Sequence, residues 1–231
     1  MTTITAHAGA LNTVENTEAS LRACLAFVGR GIVEVDLRFT SDGKPALSHH
    51  APVGEDAFTL EECFALAQGY EARFNLDLKE ARGNIDAVRA LIERCDMAGR
   101  AFFTGLRWAG HVWPVRGCGI PWYLNVYLPQ WMPFAAAIMA LRAKALGAVG
   151  LNMPCKRCSE NVMRAARRLG LLVSVWTVDE PEEMARMLRL GVDNITTRHP
   201  DVLREMMDNQ TISSLRYTPA PGAAADSSWQ K

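Results

Sequence analysis

The chain has 231 residues, about half of them apolar, and its 25 basic residues balance its 25 acidic residues. This balance gives no overall field that would attract nucleic acid or an anionic membrane, so any recognition of phosphate must be local. The length suits one large domain or two small ones, and no apolar run reaches the length of a membrane span. We therefore expect a substantial hydrophobic core, no nucleic-acid partner and no membrane span.

The amino terminus and the cysteines indicate the compartment. The chain opens without a basic leader or an apolar run long enough for secretion, which predicts a cytoplasmic protein. Its six cysteines are scattered through predicted helices and loops, which favours free thiols over a disulfide framework. Cys155 and Cys158 have the spacing of a zinc-binding pair but lack a second pair, so we interpret them as ordinary loop thiols.

Apolar periodicity divides the chain into alternating strands and helices. A period of two, or a short apolar run, predicts eight strands. They cover residues 4–7, 32–40, 73–79, 101–106, 122–128, 148–153, 172–178 and 192–197. Helical spacing and capping signals predict the helices. These cover 19–28, a segment opening at Thr59, 85–95, 134–146, 159–169, 181–190 and 200–207, while residues 108–121 are predicted to be irregular.

Eight strand and helix units of this size predict a closed (β/α)8 TIM barrel, an α/β fold with a parallel sheet. An open doubly wound sheet is the alternative. It would normally show fewer units and a glycine-rich phosphate loop after the first strand, which His7-Ala-Gly-Ala10 does not supply. We assign residues 1–210 to one barrel without a sizeable inserted subdomain. Residues 211–231 are predicted to form a disordered tail, because they cannot bury enough apolar surface.

Acidic residues recur at two strand ends. Glu34 and Asp36 share one face of the second strand, and Asp77 and Lys79 repeat this spacing on the third. Carboxyl ends of barrel strands meet at one mouth, so the three carboxylates are expected to converge. A divalent cation such as Mg²⁺ or Ca²⁺ would relieve their repulsion.

Two alternatives to a metal site stay open. The second strand can lie at a sheet edge with its carboxylates in water. The carboxylates can instead form a lattice of salt bridges with Arg38, Lys79 and Arg198.

Two histidines are expected at the same mouth. His7 ends the first strand, and His49 follows the turn after the second. A neutral imidazole can accept a proton and an imidazolium can donate one, so we interpret them as an acid and base pair, although a lone histidine is more often structural. His50 can face either way. Asn125, Asn152, Trp176 and Arg198 lie at the ends of later strands.

Several motifs resemble, in order and spacing, those of the glycerophosphodiester phosphodiesterases. The resemblance extends over nearly the whole chain up to about Met207. The motifs are Ala6-His7-Ala-Gly9, Glu15-Asn-Thr17, Val33-Glu-Val-Asp36, Thr40-Ser-Asp-Gly43, Leu47-Ser-His49, Leu76-Asp-Leu-Lys79, Val175-Trp-Thr-Val178 and Gly191-Val-Asp-Asn-Ile-Thr-Thr197.

The resemblance implies a TIM barrel that hydrolyses a small-molecule glycerophosphodiester to glycerol 3-phosphate and an alcohol. It implies one divalent cation, Mg²⁺ or Ca²⁺, held by three carboxylates, with two catalytic histidines and a lysine on the phosphate. The metal ligands are Glu34, Asp36 and Asp77; the histidines are His7 and His49; and the lysine is Lys79. The predicted substrate-binding residues also include Glu15 and Asn16 at the floor of the site, together with Asn152, Trp176 and Arg198.

The chain departs from the family pattern at several positions. Ala8 stands where most members have a phosphate-binding arginine, and we expect Arg198 to supply the lost charge. Asp77 replaces the usual glutamate, as in the sphingomyelinase D branch, and His50 replaces an aspartate. Residues 50–76 leave no room for the inserted domain with which many members grip glycerol. Three alternatives therefore stay open: a phospholipase D-like enzyme acting on lysophospholipids, a noncatalytic barrel that binds phosphorylated metabolites, and a metal-dependent sugar isomerase.

Overall fold

The structure is a computed structural model that describes residues 2–54, 56–80, 83–107, 109–128 and 134–216. Within these ranges, nine strands and eight α-helices follow one another along the chain. The strands are β1 (Thr3–Ala6), β2 (Ile32–Phe39), β3 (Pro45–Leu47), β4 (Arg73–Leu78), β5 (Ala101–Leu106), β6 (Trp122–Asn125), β7 (Gly150–Pro154), β8 (Leu172–Trp176) and β9 (Asn194–Thr197). The helices are α1 (Glu18–Val28), α2 (Leu60–Leu66), α3 (Ile85–Arg94), α4 (Ala109–Val115), α5 (Ala135–Leu146), α6 (Glu160–Arg168), α7 (Pro181–Leu190) and α8 (Pro200–Arg216).

The sheet closes on itself. All strands except β3 pair in parallel with their neighbours, in the order β1, β9, β8, β7, β6, β5, β4, β2, and a β1–β2 pairing completes the ring. A helix follows each parallel strand, with β3 and α2 both following β2. This is the predicted TIM barrel without an inserted subdomain, and the open doubly wound sheet is excluded.

The hairpin after β2 also follows the prediction. β3 runs antiparallel to β2, with Leu37 opposite Leu47, so the chain returns to the mouth and delivers the two histidines after it. Thr59 then begins α2 with a complete capping box: its hydroxyl accepts the Glu62 amide, and the Glu62 side chain accepts the Thr59 amide.

Apolar side chains from strands and helices form the main core between the barrel and its surrounding helices. Phe64 of α2 meets Phe74 of β4 edge to face, with 5.5 Å between ring centroids. In the described part of the chain no helix combines the length and the apolar character needed to cross a bilayer.

Two helices differ from the sequence prediction. α4 occupies part of the stretch that was predicted to be irregular. Gly110 and Pro114 have poor helix propensity, which hid this helix in the sequence, and tertiary context overrides that propensity. α8 continues to Arg216 instead of ending at Met207. It therefore enters the segment assigned to the tail, whose residues 217–231 lie outside the described residues.

Candidate active site

The carboxyl ends of the parallel strands surround a cavity of about 530 Å³. Cavities at this end of a TIM barrel are where its active sites form. Most of the predicted site residues line this cavity: His7, Glu15, Glu34, His49, Asp77, Lys79, Asn152, Trp176 and Arg198. Asn75, Thr104, Arg107, Asn125 and Thr196 contribute further polar side chains.

The three predicted metal ligands converge. Glu34 and Asp36 lie two residues apart on β2, and Asp77 of β4 pairs directly with Asp36. Each residue offers a carboxylate oxygen that lies within 4.8 Å of the other two. Glu34 is only 4% exposed and Asp36 only 1%. The edge-strand alternative is therefore wrong, because β2 lies between two parallel strands and its carboxylates are buried inside the barrel.

The electrostatics of Glu34 fit a cation-binding site. Its Oε2 atom accepts one hydrogen bond, from the Ala8 amide at 2.8 Å. Burial, followed by repulsion from Asp36 and Asp77, raises the pKa of Glu34 well above its usual value. Three close carboxylate oxygens are the donor set that a hard divalent cation prefers.

Lys79 partly compensates the carboxylates. Its Nζ atom lies 2.6 Å from Asp36 Oδ1 and 2.5 Å from Asp77 Oδ2. Burial alone would raise the pKa of Asp36, but Lys79 and a hydrogen bond from Asn16 outweigh it and lower that pKa. Burial likewise opposes the charge of Lys79, yet Asp77 and Asp36 raise its pKa.

The salt-bridge alternative holds for Lys79 but not for the two arginines. Arg38 pairs with Glu80 at 3.2 Å, and Arg198 pairs with Asp179 at 2.8 Å. The carboxylate trio therefore has one protein cation among the described residues rather than three.

Asn16 orients Asp36 rather than lining the cavity. Its side chain donates to Asp36 Oδ2 at 2.7 Å, and its Oδ1 accepts the Asp36 amide at 3.0 Å. The two bonds fix the carboxylate from the loop after β1, where Asn16 adopts a φ of 57°. Glu15 lines the cavity but is exposed, so it does not form a buried floor as the sequence predicted.

The two predicted catalytic histidines line the same cavity but differ in solvent exposure. His7 is half-buried, and its Nδ1 lies 2.6 Å from the Ala8 carbonyl and 3.8 Å from Glu34 Oε2. Donation from Nδ1 to that carbonyl leaves the lone pair on Nε2. Burial, aided by the nearby Arg198, lowers the pKa of His7 despite the hydrogen bond to Ala8. His49 is exposed on the loop after β3.

Thr104 and Gly105 are site residues that the sequence reasoning missed. The Thr104 hydroxyl lies 2.9 Å from Asp77 Oδ1 and 2.8 Å from Asn75 Oδ1, so it can orient either group. Gly105 has a φ of 84°, and a Cβ there would lie 2.2 Å from the Leu78 carbonyl oxygen. Only glycine permits this approach of β5 to β4. The two-residue period of the predicted strand could have placed Thr104 at the mouth.

Arg107 is the other residue missed. It follows β5, lines the cavity and places its guanidinium 4.6 Å from the centre of the Tyr127 ring. No carboxylate in the described ranges pairs with it. Arg107 precedes a stretch predicted to be irregular, so no periodic pattern indicated that its side chain would line the cavity.

The side of the mouth formed by β6 to β8 is neutral. Asn125 Oδ1 accepts from Asn152 Nδ2 at 3.0 Å and from the Gly105 amide at 3.1 Å. Asn152 Oδ1 and Trp176 Nε1 are buried and find no partner among the described residues. We call Asn125, Asn152 and Trp176 the neutral side, and Glu34, Asp36, Asp77 and Lys79 the charged side. Unpartnered polar atoms in a cavity are suited to binding ligand hydroxyl groups.

Comparison with known sequences points to one family. The model of the Glycerophosphoryl diester phosphodiesterase family matches residues 125–202, from the end of β6 into α8. Glycerophosphodiester phosphodiesterase GDPD4 of Arabidopsis thaliana is 38% identical over 69 residues, or 30% of this chain. The match spans only 20% of the length of that relative.

Solved structures share the barrel over nearly the whole chain. A glycerophosphodiester phosphodiesterase from Parabacteroides distasonis has a TM-score of 0.74 at 21% identity, covering 91% of this chain and 98% of its own. An Oleispira antarctica phosphodiesterase, solved in complex with the product sn-glycerol-3-phosphate, has a TM-score of 0.73 at 17% identity, with coverages of 90% and 97%. At these identities the likeness is one of fold. The chain therefore shares its barrel fold with these proteins along nearly its whole length, and residues 125–202 are similar to the Glycerophosphoryl diester phosphodiesterase family.

Proposed function

We propose that this protein is a metal-dependent phosphodiesterase that hydrolyses glycerophosphodiesters to glycerol 3-phosphate and an alcohol. The observation that carries the proposal is one cavity lined by Glu34 and Asp77, both histidines and three cationic side chains, with Asp36 buried beside the two carboxylates. The product bound to the Oleispira antarctica relative supports the same substrate class.

Glu34, Asp36 and Asp77 would hold the cation, for which we propose Mg²⁺ or Ca²⁺ because the donors are hard oxygens. When bound, such a cation neutralises phosphate charge and polarises phosphorus toward attack. Lys79, now bonded to Asp36 and Asp77, lies next to that position. Its ammonium group can turn to a phosphate oxygen once a bound cation neutralises the carboxylates.

We assign the base to His7 and the acid to His49. His7 has a lowered pKa and an Nδ1 committed to the Ala8 carbonyl, so its Nε2 is available to accept a proton near neutral pH. His7 removes a proton from the attacking water, and His49 donates one to the departing alcohol oxygen. If a glycerol hydroxyl attacks instead, a cyclic phosphate forms, and water opens it in a second step in which His49 accepts a proton and His7 donates one. In the water route, His7 releases its proton to solvent and His49 takes one up before the next turnover.

Arg107 and Arg198 supply positive charge to the nonbridging oxygens of the bound phosphate. Arg107 has no carboxylate partner in the described chain and lines the cavity directly. Arg198 uses one nitrogen on Asp179, with the others left for a ligand. We propose that these two residues replace the phosphate-binding arginine whose position Ala8 occupies.

The test is phosphorus NMR of the purified protein with glycerophosphocholine and related diesters, with and without EDTA. The proposal expects glycerol 3-phosphate to appear with Mg²⁺ or Ca²⁺ and to stop forming with chelator. Failure to turn over any diester while binding glycerol 3-phosphate would instead establish the noncatalytic barrel. Hydrolysis undiminished by chelator would refute the metal site.

A second candidate substrate is a lysophospholipid. The segments that follow β5 and β6 expose three aromatic side chains: Trp113 at 70%, Tyr127 at 49% and Phe134 at 72%. Exposed aromatic residues of this kind can contact an acyl chain or a lipid interface. Phosphorus NMR with lysophosphatidylcholine separates the candidates, because lysophosphatidic acid or a cyclic phosphate would form in place of glycerol 3-phosphate.

We also propose that the protein works in the cytoplasm. Its six cysteines are free thiols, which suits a reducing compartment. Cell fractionation would test this location.

A further inference from the structure

A second cluster of metal-ligating side chains lies beside the charged side. Glu15, His49 and His50 each offer a ligand atom, and the three atoms lie within 4.8 Å of one another. All three residues are exposed. Glu15 and His49 line both the mouth cavity and an adjoining groove of about 700 Å³, and His50 lines only the groove. The cluster thus forms part of the wall between the two spaces.

The backbone holds the two histidines together. The His49 carbonyl accepts from Arg38 Nε at 3.2 Å and from Nη2 at 3.1 Å, and the Ser48 hydroxyl donates to the His50 carbonyl at 2.8 Å. The Ser48 amide donates to the Asp36 carbonyl at 3.0 Å. Consecutive side chains of an extended strand would point apart, but here the turn brings the imidazole centroids to 4.6 Å.

The ligand atoms of this cluster are uncommitted. Across the described ranges, neither the Glu15 carboxylate nor the ring nitrogens of His49 and His50 have a hydrogen bond or ion pair. Glu15 is held in place through its neighbour Asn16, which bonds Asp36 twice. The three donors can therefore close on an ion without breaking an existing contact.

We propose that Glu15, His49 and His50 bind Zn²⁺ or a similar transition-metal ion at a site distinct from the carboxylate trio. Two imidazoles and one carboxylate form a borderline donor set that Zn²⁺ prefers, whereas three carboxylates prefer Mg²⁺ or Ca²⁺. The two neighbouring sites therefore differ in the class of metal they select. His50 is decisive, because His49 and Glu15 alone offer only two ligands.

Occupancy of this site inhibits the reaction, a consequence that rests on the proposed function. A ring nitrogen of His49 that coordinates Zn²⁺ cannot hold the proton that the departing alcohol requires. The rate of turnover therefore falls as the free concentration of the transition-metal ion rises. The inhibition is reversible, since no bond other than metal coordination forms or breaks.

The test compares the wild type with His50→Ala, and uses His199→Ala as the control because His199 is also exposed but lies outside the cluster. Metal-stripped protein in saturating Mg²⁺ is titrated with Co²⁺, followed by visible absorption, and with Zn²⁺, followed by calorimetry. We expect one Co²⁺ site with imidazole character in the wild type and in His199→Ala. His50→Ala should weaken binding at least roughly tenfold, since even outer partners of a metal site cost that much. Equal binding by His50→Ala and the wild type would overturn the site.

A second measurement tests the inhibition. Zn²⁺ should suppress diester hydrolysis by the wild type, while His50→Ala keeps its basal activity and needs at least roughly tenfold more Zn²⁺ for half inhibition. Unchanged or faster hydrolysis with Zn²⁺ bound would overturn the inhibitory role. A wild type without diesterase activity, whose Co²⁺ site is nevertheless lost in His50→Ala, would overturn the proposed function and support the metal site.

Discussion

The charged side and the neutral side of the barrel mouth differ in how their polar atoms are paired. On the charged side, Lys79 bridges Asp36 and Asp77, and the Ala8 amide bonds Glu34. On the neutral side, Asn152 Oδ1 and Trp176 Nε1 are buried without a partner in the described chain. The difference indicates that protein groups already pair the polar atoms of the charged side, whereas a bound ligand would supply the hydrogen-bond partners of the neutral side. We infer that the charged side performs chemistry on phosphate and the neutral side recognises the alcohol or glycerol.

The largest effect is expected from His7, the proposed base, which lies beside Glu34 of the charged side. His7→Ala should lower kcat about 10²- to 10⁴-fold, because general base catalysis typically contributes this much. Steady-state assay of glycerophosphocholine hydrolysis measures it. His199→Ala serves as control and should stay within about twofold of the wild type, because His199 is exposed and does not line the cavity. A similar loss in both variants would show that the effect is not chemical.

Asp77→Asn tests the metal site within the charged side. The variant removes one negative ligand and one partner of Lys79, so we expect the affinity for Mg²⁺ or Ca²⁺ to fall at least roughly tenfold. Calorimetric titration measures the change. Asp86→Asn, at an exposed carboxylate on α3, should leave the affinity unaltered. An unchanged affinity in Asp77→Asn would separate Asp77 from the site.

Arg107→Ala tests the contribution of a residue that lies between the two sides. Loss of a charged contact to phosphate costs about 1.4 kcal/mol, so KM should rise roughly tenfold with little change in kcat. Arg116→Ala removes an exposed arginine that stacks on Trp113 instead, and KM should be unaltered. Equal KM values for the two variants would remove Arg107 from the substrate site.

Trp176→Phe tests the neutral side. The change removes the unpartnered Nε1 donor but keeps an aromatic ring, so KM for glycerophosphodiesters should rise roughly fivefold, the worth of about one hydrogen bond. The melting temperature should stay the same or rise, because a buried donor without a partner no longer has to be desolvated. A lower melting temperature with an unaltered KM would make Trp176 a packing residue only.

The smallest effect concerns pH. Burial and Arg198 lower the pKa of His7, so the acidic limb of kcat/KM should lie below the usual imidazole value of about 6.5. His7 must be neutral to act as base, so activity rises as pH increases through that limb. Arg198→Ala removes part of the lowering and should shift the limb to higher pH. A shift to lower pH, or none, would contradict the assignment of His7 as base.

The barrel was predictable because its signals are local. The two-residue period that gives β2 and β4 also places Glu34, Asp36 and Asp77 on inward faces, and barrel closure brings them together. The capping box likewise predicts the start of α2 from only four residues, 59–62.

The rest of the site depends on contacts that no local pattern encodes. Arg107 reaches the cavity only through the path of the chain after β5, and α4 forms despite Gly110 and Pro114. The pairing of Arg198 with Asp179 likewise depends on two different loops meeting at the mouth. Such contacts follow from tertiary packing, which overrides local propensity.

The central claim is that Glu34, Asp36 and Asp77 hold one divalent cation within reach of both catalytic histidines. A crystal structure of the protein with Mn²⁺ and glycerol 3-phosphate tests it most directly, since the anomalous signal of manganese locates the ion. We expect one peak bonded to the three carboxylates, with His7 and His49 both within hydrogen-bonding distance of the phosphate. A peak elsewhere, with Lys79 still bridging Asp36 and Asp77 and the phosphate out of reach of His7, would contradict the account.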